Sequence, residues 1–158
     1  MKFLIDGMLI KLGRYLRFLG FDTEILLFFS LSLIPKYANR LFITVSKDHY
    51  LQWPYPNKYL LRAKIFDDQL KELNQYLALN KHCQWLSRCS RCNHLLEIAD
   101  WSEVSQQVPE GVAKNFEHFY RCPQCGKIYW EGGHMVRLAA KLQRLGIQVQ
   151  KRKGEAND

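Results

Sequence analysis

Cys89-Ser-Arg-Cys92 and Cys122-Pro-Gln-Cys125-Gly126 are two C-x2-C pairs separated by 29 residues. Two such knuckles supply four thiolates, the ligand set of a closed tetrahedral zinc site. Each knuckle turns its sulfurs and several backbone N–H groups toward one point. Asn93 and Gly126, directly after the knuckles, suit the tight backbone that this needs. Four thiolates leave no open position for water, so the zinc expected here is structural rather than catalytic. A redox dithiol pair is the rival reading, but it gives no reason for two matched knuckles. The fifth cysteine, Cys83, reads as a partly buried free thiol. His134 is a candidate either for a phosphate or substrate contact or for a structural hydrogen bond.

Asp6 and Asp48 are the second chemical candidates. Each directly follows an apolar, strand-like run: Lys2 to Ile5 in one case, Leu41 to Ser46 in the other. In an open parallel α/β sheet, ligands bind outside the carboxyl ends of the strands. Two carboxylates delivered to that edge repel each other, and a hard divalent cation such as Mg2+ or Mn2+ is the natural neutraliser. So held, the cation activates water and stabilises a phosphoryl transition state. The competing reading makes each aspartate a turn or cap residue. Asp67 and Asp68 read as helix caps, and Asp22 fits either role.

The elements that must position these groups follow from hydrophobic period. Leu9, Leu12, Leu16 and Leu19 form one stripe of a helix from Met8 to Leu19, with Lys11, Arg14 and Arg17 on its opposite side. Gly20 ends that helix. A second strand is expected from Phe21 to Phe29, and a short helix from Ser32 to Arg40 with Pro35 in its first turn. The strand Leu41 to Ser46 leads to Lys47-Asp48. A loop with two prolines at 52–58 precedes a strand from Tyr59 to Phe66. A helix follows, with Leu70, Leu73 and Leu77 as its stripe. This alternation predicts an α/β fold: a parallel sheet flanked by helices at 1–80. A small zinc ribbon with a C-terminal helix from His134 to Leu145 is expected at 81–147, and a polar tail at 148–158.

The 158 residues are 47% apolar and carry a net charge of +8. The first figure supports a real core and excludes wholesale disorder; the second favours an anionic partner, nucleic acid before membrane. Lys11, Arg14, Arg17, Arg88, Arg91 and Arg121 are the candidate phosphate contacts, and Trp53, Tyr55 and Tyr59 could stack on bases. The most apolar run, 25–34, is too short to span a membrane and starts too late for a signal peptide. Unpaired thiols with no signal segment fit a cytoplasmic protein.

Together these motifs resemble a known family. Asp6-Gly-Met-Leu-x-Lys-Leu-x-Arg-x-Leu-Arg-x-Leu-Gly-Phe-Asp22 is similar to the opening signature of the Mut-seven C-terminal RNase family, a PIN-like group. Ile43-Thr-Val-Ser-Lys-Asp48 resembles its strand ending in Thr-Arg-Asp, and Gln69-Leu70 its Gln-Leu pair. Arg88-Cys89-x-x-Cys92-Asn93-x-x-Leu96 and Phe119-x-x-Cys122-x-x-Cys125-Gly126-Lys-Ile-Tyr129-Trp130-x-Gly-x-His134 resemble its zinc ribbon. The likeness covers roughly residues 2–145. It implies a metal-dependent ribonuclease acting on RNA at an acidic site holding Mg2+ or Mn2+. Asp6 and Asp48 match the family's acids, and Asp22 matches the signature. One departure stands out. Where the family has an acidic cluster opening its second helix, this chain has no carboxylate between Glu24 and Asp48. The expected consequences are a weaker metal site, recruitment of Asp67 or Asp68, or RNA binding without hydrolysis. The apolar 25–34 stretch could instead take a protein partner.

Overall fold

Alternating burial in the first strand sets the layers of the molecule. In β1 (Lys2–Asp6), Phe3 and Ile5 enter one apolar cluster and Leu4 enters another. Side chains two apart share a face, so Asp6 lies on the Leu4 side. A computed structural model describes residues 1–150. Of the expected polar tail at 148–158, residues 151–158 lie outside the described residues.

A turn of 3-10 helix (Gly7–Leu9) leads from β1 into α1 (Ile10–Phe18) and then β2 (Asp22–Leu26). A second 3-10 turn (Ile34–Tyr37) precedes β3 (Leu41–Thr44), α2 (Lys47–Gln52), β4 (Lys58–Leu60) and α3 (Phe66–Leu77). The sheet is parallel throughout, in the order β2-β1-β3-β4. α1 and α3 cover the Phe3/Ile5 face with Leu12, Leu16, Leu70 and Leu73. Ile34 and Trp53 cover the other face, against Leu4 and Phe42. The chain runs from β1 to one neighbour and later returns to β1's other side as β3. The crevice outside the carboxyl ends of β1 and β3 is therefore the topological switch point of the sheet.

The end of α1 is a Schellman motif: Phe21 N–H bonds Leu16 O and Gly20 N–H bonds Arg17 O. Gly20 sits at φ +91°, and a Cβ there would meet Ser87 Oγ at 2.6 Å. Only glycine serves at this crossing.

Several elements are shorter than their patterns suggest. β2 stops at Leu26, paired with Asp6, because β1 offers no partner beyond it. The expected helix 32–40, for which Ser32 is the cap the sequence suggests, is only the 3-10 turn; Leu33 is its N-cap and Ser32 Oγ bonds Ser30 Oγ instead. The strand expected to reach Phe66 ends at Leu60, because the Glu72 carboxylate takes the N–H groups of Arg62 and Ala63. Asp67 and Asp68 are not caps. They lie inside the first turn of α3, where Ile65 is the N-cap and a carboxylate complements the helix dipole.

Beyond residue 81 come β5 (Glu97–Ala99), two short helices, α4 (Trp101–Val104) and α5 (Glu110–Asn115), then β6 (Phe119–Arg121) and β7 (Ile128–Tyr129). β5, β6 and β7 form an antiparallel sheet in that order. The final α6 (Gly133–Arg144) sends Met135, Leu138 and Leu142 into the same cluster as Phe3, Leu16 and Leu70. Cys89, Cys122 and Tyr129 belong to it too. One core thus crosses the expected boundary between residues 1–80 and 81–147.

Candidate functional site

The carboxyl ends of β1 and β3 place Asp6 and Thr44 side by side. Asp6 is 3% exposed and holds the N-cap position of the following turn, yet its side chain caps nothing. Its Oδ2 instead accepts from Thr44 Oγ1 at 2.6 Å and lies 2.6 Å from His49 Nδ1. Thr44 Oγ1 in turn accepts from Ser46 N–H. Ser46 is the N-cap of α2, accepting from His49 N–H, and so fixes the helix that presents the imidazole. Phe29 stacks on the imidazole, centroids 4.2 Å apart and planes 5° from parallel. Gly7 lets this happen: a Cβ there would sit 2.8 Å from the carbonyl oxygens of Leu26 and Leu27, at the start of the segment carrying Phe29. The segment also leaves Leu27, Phe28 and Leu31 exposed beside the site.

Asp48 stands in the first turn of α2, on the same rim. It is exposed, and no hydrogen bond or ion pair among the described residues engages its carboxylate. His49, one residue on, is the side chain that converges on Asp6. Neither Asp67 nor Asp68 joins them: Asp67 Oδ1 pairs with Lys141 Nζ at 2.9 Å, and Asp68 is exposed. Among the described residues Asp6 belongs to no group of three or more carboxylate, imidazole or thiol side chains close enough to share one ion. A preformed carboxylate cage is therefore not what this rim offers.

Asp22 takes no part in that rim. It opens β2, opposite Lys2, at the other end of the parallel sheet. Its Oδ1 accepts from Arg40 at 2.8 Å and from Asn93 Nδ2 at 2.7 Å. Burial opposes its ionisation, but the bonds from Arg40 and Asn93 outweigh that and hold the carboxyl below its ordinary range. Asp22 is a clasp between sheet and ribbon.

The cysteines converge. The four sulfurs lie within 4.8 Å of one another, with Cys89–Cys125 at 3.7 Å and Cys92–Cys122 at 3.2 Å. A tetrahedral zinc with Zn–S near 2.3 Å sets its sulfurs about 3.8 Å apart, so the cluster fits that ion. Asn93 at φ 66° and Gly126 at φ 76° provide the left-handed turns, and each N–H returns to the first cysteine of its knuckle. Burial raises the Cys89 thiol, but Tyr129 and the backbone of Cys92 and Arg91 outweigh it and bring it to about 6. Burial, then the neighbouring sulfurs, push Cys92 to about 12. A bound cation ionises the thiols that the cluster alone keeps protonated. Burial and then Cys89 raise Tyr129, so its hydroxyl stays a donor, 3.1 Å from Cys89 Sγ.

The candidate phosphate contacts divide. Lys11, Arg14 and Arg91 are exposed. Arg17 departs from the expected solvated face: it is 6% exposed and donates to the carbonyls of Thr23, Ser90 and Arg91. Arg88 is turned inward on Gly20 O and Asn93 O, and Arg121 reaches Glu103 at 3.4 Å. Trp53 is core, and Tyr59 stacks on Tyr76 while donating to Glu72. Cys83 is a buried free thiol donating to Gln148 O, and His134 is exposed. Sequence reasoning missed His49, Thr44 and Tyr129. The Ser46-x-x-His49 spacing was an available cap signal for the first.

A family model described as Mut7-C RNAse domain matches residues 1–142. Comparison with curated proteins and with solved structures gives no match. No helix among the described residues is long and apolar enough to cross a membrane.

Proposed function

Because the chain belongs to the Mut7-C RNAse domain family, we propose that it hydrolyses RNA phosphodiesters at the carboxyl rim of β1 and β3, assisted by Mg2+ or Mn2+. The observation that carries this reading is Asp6: a buried carboxylate at the switch point, supported by Thr44 and His49 rather than spent on a helix cap. Asp6 and the unengaged Asp48 would hold the cation. When bound, it supplies Lewis-acid stabilisation of the phosphoryl oxygens and acidifies water. Lys11, near the start of α1, and Arg14 one turn on are exposed and would attract the RNA backbone. The cysteine site would hold structural zinc and take no part in the chemistry.

The test is cleavage of a single-stranded RNA oligonucleotide with Mn2+ or Mg2+. Asp6→Asn should abolish cleavage, a loss of at least a hundredfold, while salt-sensitive RNA affinity persists. The missing third acid favours one second reading, an RNA-binding module of the same fold. That module would bind RNA without cleaving it in either form.

A further inference from the structure

We infer that the cavity between β7 and the start of α6 holds one nucleotide of single-stranded RNA, its base beside Trp130 and its phosphate on Lys127. The inference rests on the ribonuclease reading above for the choice of RNA, and it adds a contact whose lining shares no residue with the acidic rim. The cavity has a volume of about 360 Å3, within the roughly 300–1,000 Å3 usual for small-molecule sites. It lies where two apolar clusters meet. Tyr129 and Met135 belong to the main core, whereas Ile128 and Trp130 pack on a smaller cluster of Ala99, Val104 and Phe119. Trp130 is anchored against Phe119, ring centroids 6.2 Å apart, and also lines the cavity. An indole already held in place loses little freedom when a ligand arrives. Gly132 leaves room for its polar edge: a Cβ there would sit 2.8 Å from Trp130 Nε1. That N–H donates to nothing among the described residues and is not one of their buried, unpaired atoms, so it meets solvent.

The charges around the cavity have one sign. Lys127 lines it and lies over the Tyr129 ring, Nζ 4.9 Å from the centroid. A Cβ on Gly133 would meet Arg137 Nη1 at 3.2 Å, so a second cation stands at the edge. Neither Lys127 nor Arg137 enters an ion pair among the described residues. No carboxylate among the described residues lines the cavity; Glu131, next to Trp130, lines a different one with Lys114 and His118. His134 adds an exposed imidazole. Apolar walls with a fixed aromatic ring suit a base, because every base has a π-face. Unpaired cations and donors without a carboxylate suit the phosphate that accompanies it. A purely apolar ligand would leave the cations unused, and an inorganic anion would leave the walls unused; a nucleotide uses both. The chain's net charge of +8 favours a polyanionic strand over a free nucleotide.

Binding of a labelled single-stranded RNA oligonucleotide to the zinc-loaded full chain, without added Mg2+ or Mn2+, is measured by fluorescence anisotropy. The proteins are wild type, Trp130→Leu, Trp130→Phe and Lys127→Ala, with thermal melts to verify folding. Cys122 N–H bonds the Lys127 carbonyl, a backbone contact that Lys127→Ala keeps. Trp130→Leu should bind about 5- to 150-fold more weakly, and Trp130→Phe, which keeps a ring, should retain most of the affinity. Lys127→Ala should weaken binding and reduce the slope of log affinity against log salt by about 0.7. An abasic strand of the same length and free AMP should each bind more weakly than the RNA. Separately, RNA carrying 5-iodouridine, irradiated with the wild-type protein, should crosslink to the tryptic peptide 128–137, a readout that needs no variant. Crosslinks only to other peptides overturn the inference. So does an abasic strand or AMP that binds as tightly as the RNA. Wild-type affinity in both Trp130→Leu and Lys127→Ala overturns it and leaves the ribonuclease reading standing. Trp130-dependent binding by a wild-type protein that cleaves no RNA upholds it and overturns that reading. A wild-type protein that binds no RNA overturns both.

Discussion

Arg17 is a charged side chain held in the interior. A buried guanidinium is tolerable only where its donors are met, and Arg17 meets carbonyls on both sides of the molecule: Thr23 on β2, and Ser90 and Arg91 inside the first cysteine knuckle. Replacing it by methionine keeps the apolar stem but strands those acceptors. Arg17→Met is expected to destabilise the fold by about 3 kcal/mol, with three acceptors at about 1 kcal/mol each. Chemical denaturation measures this directly; a change below about 0.5 kcal/mol would contradict the burial argument. Periodicity placed Arg17 on the polar side of α1 because a helical wheel sees only its own turn. The partners that bury this residue lie 73 and 74 positions away. His49 was hidden for the same reason: its carboxylate is 43 positions upstream.

At the level of elements, strong patterns translated well and weak ones were overruled by neighbours. β1, α1 and β3 follow their hydrophobic period closely, and the two knuckles stand where their spacing put them. The pattern overextends β2 because strand length depends on a partner's end, and β4 because the Glu72 carboxylate, ten residues past Arg62, takes the N–H groups that would continue it; no local window contains either. α2 was not anticipated, although Ser46 announces it. The seam between β2 and the ribbon leads to a pH prediction. Asp22 binds Arg40 and Asn93 and has a lowered folded pKa. The folded chain therefore takes up this proton less readily than the unfolded chain. The stabilisation is complete above the ordinary aspartate value of about 3.9 and is lost as pH falls through the lower folded value. Glu72, lowered despite burial by the N–H groups of Arg62 and Ala63 and by Tyr59, acts in the same direction. Denaturation midpoints measured from pH 6 to pH 2 should fall steeply for wild type and less steeply for Asp22→Asn. Parallel curves would remove the clasp from the account.

For the whole molecule, the decisive feature is that cysteines able to hold zinc and residues of the parallel sheet share one cluster. Cys89 and Cys122 are fully buried among the side chains that pack on Phe3, Leu16 and Leu70. Removing zinc with a strong chelator, or substituting Cys122→Ser, should lower the melting temperature of the entire chain in one transition. Two separate transitions, with the sheet melting unchanged, would show that the ribbon is an independent unit. The shared cluster also bears on how the chain is made. α6 contributes Met135, Leu138 and Leu142 to the face that α1 and α3 must cover, but a ribosome produces it after every strand and helix it packs on. Until it emerges, the nascent sheet presents an unfinished greasy flank, so chaperone demand during translation of residues 1–144 should be highest just before α6 appears.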